Sequence, residues 1–378
     1  MKVVICADAH LDSPFSMFNR SDVNLSIRHQ EQRQAFSKAI DEVKRIGAEL
    51  LLIPGDLFDG RKASMATVKF LMDAFTSIPA TYVVISPGNH DPYTEDSPYA
   101  TQVWPENVYV FKKELEMLEL LLKSGENVRI YGGAFRSHFS TKNLLSSGGA
   151  LPVLDKEKMN ILLMHTSLEA NSKYNPITKE DLDKCGFDFC ALGHVHKYSG
   201  IIRTANTAYA FAGIPEGRGF DETDECGIIS GSITKEEISL GFVETSVRKC
   251  RVVQIDISDC QSNDQVVELI HRECPEYEYS YKVILTGVIH DDFNMSVVMI
   301  TSAVNQQYFY IKIVSQCKQH LDVEMLSREN SLRGLFIKNC LERMEMIGDI
   351  DEDRRAFVEE AMQFGLDAFE GDVTIDEN

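Results

Sequence analysis

Short apolar runs and longer helical patterns alternate along the first half of the chain. Each run holds four to six apolar residues and ends in a polar cluster. Runs of this length, without strict alternation, are typical of strands that are buried on both faces of a sheet. The segments predicted as strands are KVVICAD (2–8), AELLLIPGD (48–56), TYVVISPGN (81–89), VYVF (108–111), VRIYGG (128–133), MNILLMHTS (159–167) and DFCALGHVH (188–196). The pattern predicts α/β layers in which both sheet faces are covered.

Two helical patterns lie between the first three predicted strands. One extends from Leu25 to Arg45 and the other from Thr67 to Phe75. In the first, apolar residues recur at helical intervals and predict one face turned toward the sheet. The residues predicted on that face are Ile27, Ala35, Ala39, Ile40, Val43 and Ile46. Such an alternation favours strands whose carboxyl ends open into loops that carry functional groups.

The pattern changes twice in the second half of the chain. From about 200 to 245, short strands and turns replace the helical stretches. Near Arg251 a β-α-β-α-β succession begins, and two helical patterns follow it, Ser331 to Met346 and Arg354 to Phe369. We therefore predict three segments: a first domain at 1–250, a smaller α+β domain at 251–330, and C-terminal helices with an acidic end at 331–378.

Composition narrows the class of protein. The chain has 378 residues, and its 44% hydrophobic and 25% charged residues are ordinary for globular domains. No apolar run approaches the length that spans a membrane, and the N-terminal MKVVICAD is too short for a signal peptide. Nine cysteines without a C-x-x-C spacing favour reduced thiols and a cytoplasmic location over a disulfide framework or a structural zinc site.

The charge of the chain is acidic and uneven. The formal net charge is −20, and residues 349–378 hold eleven Asp or Glu against two Arg, so they account for −9 of it. An acidic protein does not attract phosphate backbones over long range. Residues 251 to about 330 also lack an obvious basic and aromatic stripe for reading DNA. An anionic substrate must therefore be held locally, by metal ions or by a partner.

Asp, Asn and His side chains gather where the predicted strands end. The clusters are Asp8 and His10 in ADAH, Asp56 and Asp59 in PGDLFD, Asn89, His90 and Asp91 in PGNHD, His165 in MHTS, and His194 and His196 in GHVH. The other five histidines, at 29, 138, 271, 290 and 320, lack this context, and His138 in FRSHFS is the most tempting of them. Strand ends of a layered α/β fold can converge on one rim, so we expect the clusters to meet.

This combination of side chains suits a pair of divalent metal ions. Two carboxylates, one amide and four histidines form a mixed oxygen and nitrogen ligand set, which suits Mn²⁺, Fe²⁺ or Zn²⁺ better than Ca²⁺ or Mg²⁺. Seven side chains are too many for one ion with open positions, but they fit two ions that share a bridging carboxylate. Two ions about 3.5–4 Å apart can hold both oxygens of an in-line phosphoryl displacement. A lone histidine is more often a hydrogen-bonded core or surface residue, so the inference depends on all five clusters together.

In their order and spacing, the clusters resemble the motifs of the calcineurin-like metallophosphoesterases, D-x-H, G-D-x-x-D, G-N-H-D/E, H and G-H-x-H. Four longer stretches resemble the DNA repair exonucleases of the SbcD type, in their YhaO-like branch: DAHLDSPF, LLMHTSL, YNPITKEDLDKCGFDFCALGHVHK and FAGIPEGRGFDETDECG. The resemblance implies a layered metallophosphoesterase β-sandwich flanked by helices, with a smaller α+β capping domain. After about residue 250 the chain resembles the family only in position and size.

The resemblance also implies a role for each clustered side chain. Seven of them would bind two divalent ions, by preference Mn²⁺: Asp8, His10 and His196 at one ion, Asn89, His165 and His194 at the other, and Asp56 between the two. His90 would not bind metal; it would stabilise the transition state and protonate the leaving oxygen, and Asp59 would orient it. Asp59 follows the bridging carboxylate by three residues, and a carboxylate can fix the tautomer and the angle of an imidazole. Asp91 is expected to anchor the local turn.

The predicted function is a metal-dependent phosphodiesterase, a nuclease that acts on DNA ends as a subunit of a DNA repair complex. Two alternatives stay open. One is a two-metal phosphoesterase with a nucleotide, a phosphoprotein or another non-DNA substrate, and the other is a non-catalytic scaffold subunit. The ligand set has no gaps, which argues against the scaffold. The resemblance further implies a coiled-coil ATPase as partner and is compatible with a homodimer, and we expect no association with membranes.

The last helical pattern has two interpretations. Apolar residues recur at roughly helical spacing within 354–369, and acidic residues fill much of the remainder. The apolar positions are Phe357, Val358, Ala361, Met362, Phe364, Leu366 and Phe369. The segment either packs on its own domain or is an amphipathic helix that docks in a groove of another protein, such as the ATPase.

Overall fold

The computed structural model describes residues 1–15, 23–60, 63–289, 293–319, 323–347 and 351–370. The chain divides into two compact units. The first comprises Met1–Val253, Cys274–Lys282 and Asn305–Lys312, and the second comprises Gln254–Glu273, Val283–Val304 and Ile313–Asn378. The division into 1–250, 251–330 and 331–378 stays a prediction, and His290 and His320 lie outside the described residues.

Two six-stranded sheets form the framework of the first unit. Their strands are β1 (Lys2–Ile5), β2 (Leu50–Ile53), β3 (Tyr82–Ile85), β4 (Val108–Val110), β5 (Glu116–Leu121), β6 (Asn127–Gly132), β7 (Met159–His165), β8 (Phe189–Gly193), β9 (Ile202–Arg203), β10 (Ala208–Phe211), β11 (Gly227–Ile233) and β12 (Ile238–Glu244). One sheet has the order β12-β11-β1-β2-β3-β4 and the other the order β5-β6-β7-β8-β10-β9. The strands β1, β2, β3 and β4 pair in parallel in that order in one sheet, and β6, β7, β8 and β10 do so in the other. The carboxyl ends of the parallel strands therefore lie at one edge of each sheet.

Helices cover the outer faces of the two sheets. They are α1 (Val23–Ile46), α2 (Met65–Thr76), α3 (Pro98–Thr101) and α4 (Lys179–Cys185), with a 3₁₀ turn at Leu144–Ser146. Between the sheets, Leu52 of β2 belongs to the same apolar core as Ile161 of β7. On the outer face of the first sheet, a second apolar core contains Phe36 of α1, Leu71 of α2 and Leu51, which precedes Leu52 in β2. This layering confirms the predicted β-sandwich flanked by helices.

Most of the predicted elements correspond to elements of the structure, whereas β5 is a strand that the sequence pattern did not predict. Its sequence EMLELL is rich in residues that favour helices, so propensity argues against a strand. Its burial alternates, however, and Leu118 and Leu120 pack against the core between the sheets. Antiparallel pairing with β6 decides the conformation, because packing overrides a weak local preference.

After β12 the chain continues through short strands and helices. They are β13 (Cys250–Asp256), α5 (Asn263–Glu273), β14 (Ser280–Thr286), β15 (Val288–Ile289), α6 (Val297–Val304), β16 (Tyr310–Ser315), β17 (Lys318–Gln319), α7 (Val323–Ser327), α8 (Leu332–Ile347) and α9 (Glu352–Glu370). In the second unit, Leu326, Ile337 and Leu366 form a small apolar core. On α9, Phe357 and Phe364 are 71% and 60% exposed, so the helix packs through one side and leaves large rings uncovered on the other.

Two further expectations concern cysteines and membranes. All nine cysteines have free thiols. Across the described ranges, none of the helices combines the length and the apolar character needed to cross a membrane.

Candidate metal centre

The loops that follow β1, β2, β3, β7 and β8 converge at the carboxyl ends of their strands. Backbone hydrogen bonds join the first two loops, since the N–H of Asp8 donates to the carbonyl of Gly55 at 3.1 Å and that of His10 donates to Asp56 at 2.9 Å. Across the two sheets, the N–H of His194 donates to both carboxylate oxygens of Asp8, at 3.0 and 3.1 Å. The five clusters predicted from the sequence therefore meet at one place.

One group of predicted ligands contains Asp8, His10 and His196, whose ligand atoms lie within 4.8 Å of one another. The Nε2 atoms of His10 and His196 are only 3.2 Å apart. Two imidazole nitrogens at this distance cannot both carry a proton, and a shared cation satisfies both lone pairs. The donor set of this group therefore fits a divalent metal ion.

Asp56 lies between this group and His165, which belongs to the second group of predicted ligands. Its Oδ2 atom is 3.7 Å from Nε2 of His10 and 3.4 Å from Nε2 of His165. The carboxylates of Asp8 and Asp56 also form a group with His165 within 4.8 Å. Nε2 of His165 is 2.8 Å from Oδ1 of Asn89. A carboxylate in this position can bridge two ions, which is the role that the resemblance implied for Asp56.

Hydrogen bonds orient the free nitrogens of two histidines into the site. Nδ1 of His165 donates to the carbonyl of Pro54 at 3.0 Å, and Nδ1 of His196 donates to the carboxylate of Glu222 at 2.7 Å. Each Nε2 atom is therefore left as a lone-pair donor that faces the predicted metal positions.

The protonation states of the histidines agree with ligand roles. Burial lowers the pKa of His10 to about 4 and the pKa of His165 to about 3, and burial is also the main cause that lowers the pKa of His194 to about 4. All three imidazoles are therefore neutral at pH 7, and the neutral form is the one that binds metal ions.

His194 is placed differently from the other predicted ligands. Its ring lies 5.1 Å from that of His165 and 4.7 Å from that of Tyr174. Among the described residues, its nitrogens do not belong to any of the three-residue groups that could hold a metal ion. Its role as a ligand stays a prediction, although its ring borders the site.

Backbone strain is concentrated at the site. Eight non-glycine residues among those described have a positive φ, and four of these are predicted ligands. They are Asp8 (48°), His10 (43°), Asp56 (48°) and His194 (99°). The left-handed region is costly for residues other than glycine, so the surrounding contacts must hold these side chains in place.

Two glycines allow the loops to come this close. A Cβ atom on Gly88 would lie 2.2 Å from Oδ1 of Asp56. On Gly55, which has a φ of +99°, a Cβ atom would lie 2.5 Å from Nδ1 of His165. The glycines of the G-D and G-N-H sequences are thus required by close approach to the predicted ligands.

His90 and Asp59 form a pair beside the predicted metal positions. Nδ1 of His90 donates to Oδ1 of Asp59 at 2.7 Å, and this hydrogen bond raises the pKa of His90. The His90 side chain is 45% exposed, so its other nitrogen is open to a substrate. By distance alone, His90 could also join His10 and Asp56 around an ion. The pair has the geometry of an oriented general acid.

Asp91 does more than close its own turn. Its carboxylate is buried and accepts hydrogen bonds from four backbone N–H groups and one hydroxyl. The donors belong to Asp56, Leu57, Phe58, Gly88 and Tyr99. Asp91 therefore ties the loop after β2 to the loop after β3 and so positions Asp56 next to Asn89.

Sequence reasoning missed Glu222 and Arg218. The buried carboxylate of Glu222 accepts hydrogen bonds from His196 and, at 2.8 Å, from Nη2 of Arg218. Burial opposes ionisation, but the bonds from His196 and Arg218 outweigh it and lower the pKa of Glu222 to about 2. Nη1 of Arg218 lies 3.7 Å from Oδ2 of Asp59. Both residues belong to the stretch FAGIPEGRGFDETDECG, which resembles the SbcD-type exonucleases. This resemblance was the available signal for their importance, but it did not assign a role to either residue.

Sequence comparisons agree with this geometry. Residues 1–198 match the family model described as calcineurin-like phosphoesterase. The uncharacterized metallophosphoesterase YhaO of Bacillus subtilis (strain 168) is 26% identical over 273 residues, which are 70% of this chain and 65% of that protein. The match thus spans slightly less than two thirds of that relative. The DNA double-strand break repair protein Mre11 of Methanocaldococcus jannaschii is 26% identical over 302 residues, covering 72% of this chain and 74% of that protein.

Solved structures that are similar to this chain are more distant. The protein TT1561 of Thermus thermophilus is 12% identical with a TM-score of 0.39, and it covers 65% of this chain and 98% of its own. A dimetal phosphatase from Danio rerio is 11% identical with a TM-score of 0.41, and it covers 65% of this chain and 99% of its own.

Proposed function

This chain belongs to the calcineurin-like phosphoesterase family, and we propose that within it the chain is a two-metal phosphodiesterase that cleaves DNA as a nuclease subunit of a repair complex. Membership of this family makes the chain a metal-dependent phosphoesterase. The observation that carries the proposal is the position of Asp56, whose Oδ2 atom lies 3.7 Å from His10 and 3.4 Å from His165. A carboxylate between the neutral imidazoles of His10 and His165 supports a two-ion site.

The residues of this chain fit two divalent ions, and Mn²⁺ is the proposed metal. Asp8, His10 and His196 would hold one ion, Asn89, His165 and His194 the other, and Asp56 both. Mixed oxygen and nitrogen ligands support a transition metal over Mg²⁺ or Ca²⁺. Such ions, when bound, supply Lewis-acid polarisation of the phosphate and lower the pKa of an attacking water.

The side chains around the metal centre orient ligands and move a proton. Asp59 holds the His90 ring at 2.7 Å and favours its protonated form. His90 is exposed enough to reach the leaving oxygen of a phosphodiester and to protonate it from Nε2. Glu222 keeps the proton of His196 on Nδ1, so that Nε2 stays available as a ligand.

DNA as the substrate is supported by resemblance. The residues around the histidines resemble SbcD-type exonucleases, and the name of one relative is that of a DNA double-strand break repair protein. Metal ions contact phosphate and not bases, so the metal centre alone does not separate DNA from another phosphodiester.

A coiled-coil ATPase is the proposed partner, and α9 is the proposed docking element. Phe357 and Phe364 on this helix are 71% and 60% exposed, whereas Leu366 is buried in the core of the second unit. The helix therefore combines a side that packs on its own unit with rings that are open to another protein. Such a partner would also supply positive charge that this acidic chain lacks.

Hydrolysis assays with the metal-loaded full chain test the proposal. We expect the Mn²⁺-loaded protein to hydrolyse bis-p-nitrophenyl phosphate and to cut DNA, and Asp56→Ala to abolish both activities and to lower bound metal. Strong activity on a nucleoside monophosphate or a phosphoprotein, with none on DNA, would replace the DNA substrate by the first alternative. A fully loaded protein that hydrolyses none of these esters would support the scaffold alternative.

A further inference from the structure

Two surface segments border the predicted metal centre, Arg136–Lys142 and Lys173–Tyr174, and together they are called the rim below. In the first segment, Nδ1 of His138 donates to the backbone carbonyl of Asn89 at 2.8 Å. In the second, the ring of Tyr174 lies 4.7 Å from that of His194. Each segment therefore contacts a residue that is predicted to bind metal, so the rim adjoins the metal centre.

Aromatic rings lead from the metal centre to the surface of the rim. The ring of Tyr174 is tilted by 39° against that of His194. Next to it, the ring of Phe139 lies at 5.8 Å with a tilt of 37°. Phe139 is 59% exposed, so most of its ring faces solvent. A large apolar ring that is left open beside an active site offers a stacking surface and contributes little to packing.

The rim is basic within an acidic chain. Residues 133–154 contain Arg136 and Lys142 but no Asp or Glu, although the whole chain has 58 acidic residues. The side chains of Arg136, His138, Lys142 and Lys173 are exposed. Arg136, Phe139 and Lys142 line a depression of about 200 Å³, to which Glu114 contributes the acidic side chain. This volume is below the roughly 300–1,000 Å³ of typical small-molecule sites, so it suits part of a polymer such as one base.

Hydrogen bonds hold the rim in place. The N–H of Ser140 donates to the carbonyl of Lys173 at 2.8 Å, and the N–H of Asn175 donates to that of Ser140 at 2.7 Å. The buried amide of Asn175 donates to the carbonyl of His165 at 2.9 Å and accepts from the N–H of Leu144 at 2.8 Å. The two segments are thus fixed to each other and to the end of β7, which lowers the entropy cost of binding a strand.

We propose that the rim binds unpaired nucleotides of single-stranded DNA next to the metal centre. The proposal rests on the nuclease function proposed above and specifies its substrate. Exposed rings stack on bases, and nearby basic side chains neutralise the phosphates of a single strand. In a duplex the faces of the bases are stacked on one another and cannot contact Phe139. The rim therefore favours an unpaired strand over a paired one.

Binding of labelled DNA to the full chain tests this proposal. A fluorescein-labelled oligothymidylate of about 16 nucleotides and a blunt duplex of equal length are titrated in EDTA, so that no strand is cut, and anisotropy is measured. We expect the oligothymidylate to bind more tightly, Phe139→Ala to weaken it about 5- to 100-fold, and Phe139→Tyr to restore it. Lys142→Gln should reduce the slope of log K against log salt by about 0.7.

Tyr82→Ala is the matched control, because Tyr82 is an exposed aromatic residue at the first position of β3, whereas the metal centre follows the carboxyl end of that strand. It should leave DNA binding unchanged. Hydrolysis of bis-p-nitrophenyl phosphate by the Mn²⁺-loaded variants is measured in parallel, and the ratio of DNA cleavage to ester hydrolysis should fall in Phe139→Ala.

The possible failures can be distinguished. If the wild-type protein binds and cuts DNA but Phe139→Ala behaves like Tyr82→Ala, the rim is not the binding surface and the nuclease function stands. Tighter binding of the duplex than of the oligothymidylate also overturns the rim proposal. If the wild-type protein hydrolyses the small ester but neither binds nor cuts any DNA, the proposed DNA substrate itself is wrong, and the rim proposal is overturned with it.

Discussion

Replacement of Asp91 by Ala tests whether one buried carboxylate holds the two loops of the metal centre together. The side chain accepts hydrogen bonds from backbone N–H groups at 2.7 to 3.2 Å and from the hydroxyl of Tyr99 at 2.5 Å. In Asp91→Ala the four buried N–H groups lose their acceptor. An unsatisfied buried donor costs about 1–3 kcal/mol, so the lower bound for four is about 4 kcal/mol.

Part of this cost is offset in the metal-free protein. Burial is the largest cause that raises the pKa of Asp91, and repulsion from the carboxylate of Asp56 raises it further. Removal of Asp91 relieves that repulsion. We therefore expect a net loss of about 3 kcal/mol in the free energy of unfolding. This is a large share of the roughly 5–15 kcal/mol that stabilises a typical domain.

Urea denaturation followed by tryptophan fluorescence measures the effect. Trp104 is the single tryptophan of the chain, and its ring lies 6.3 Å from that of Tyr99, so it reports on unfolding near Asp91. The titration is done in EDTA, because a bound metal ion would stabilise the folded state by mass action. Tyr99→Phe, which removes one donor and leaves the carboxylate, should cost only about 1 kcal/mol.

Asp41→Ala is the matched control, because Asp41 is an exposed carboxylate on α1. It should change the free energy of unfolding by less than about 0.5 kcal/mol. A value for Asp91→Ala within about 1 kcal/mol of the wild-type value would refute the reasoning. If Asp91→Ala does not fold, Tyr99→Phe still tests it, since no loss of stability in that variant would contradict a hydrogen bond from Tyr99 to the carboxylate.

Four further predictions concern the metal centre and the proposed partner. His90→Ala should keep wild-type metal content, measured by elemental analysis, and lower turnover about 10²- to 10⁴-fold; loss of metal would show that His90 is a ligand. Asp59 raises the pKa of His90, and a general acid must be protonated, so the alkaline limb of the pH–rate profile should move to lower pH in Asp59→Asn; an unmoved limb contradicts this. Glu222→Gln removes the ionised partner of His196 and should weaken Mn²⁺ binding about 10- to 100-fold by calorimetry, whereas unchanged affinity would mean that Glu222 does not position that ligand. Phe364→Ser should weaken binding to a purified coiled-coil ATPase of the same source without loss of folding, and unchanged binding would exclude that ring from the interface.

The strands and the chemistry of the site could be predicted from the sequence, because both depend on local patterns. Apolar runs such as LLLI identify β2, and its buried residues are contiguous. Asp, Asn and His at the ends of such runs identify candidate ligands by residue type alone. Local patterns did not predict β5, whose composition favours a helix, because cross-strand pairing with β6 decides its conformation.

Only the tertiary structure decided which of these residues meet and what supports them. His10 and His196 are 186 positions apart, yet their Nε2 atoms lie at 3.2 Å. The roles of Glu222 and Phe139 could not be predicted from the sequence, because a carboxylate that orients a histidine and a ring that stays exposed differ from others only in their neighbours. Those neighbours depend on the order in which strands pair, and strand order is set by the free energy of packing the whole layered core. The sequence by itself thus determined the elements and the kinds of ligand, and the fold determined their geometry.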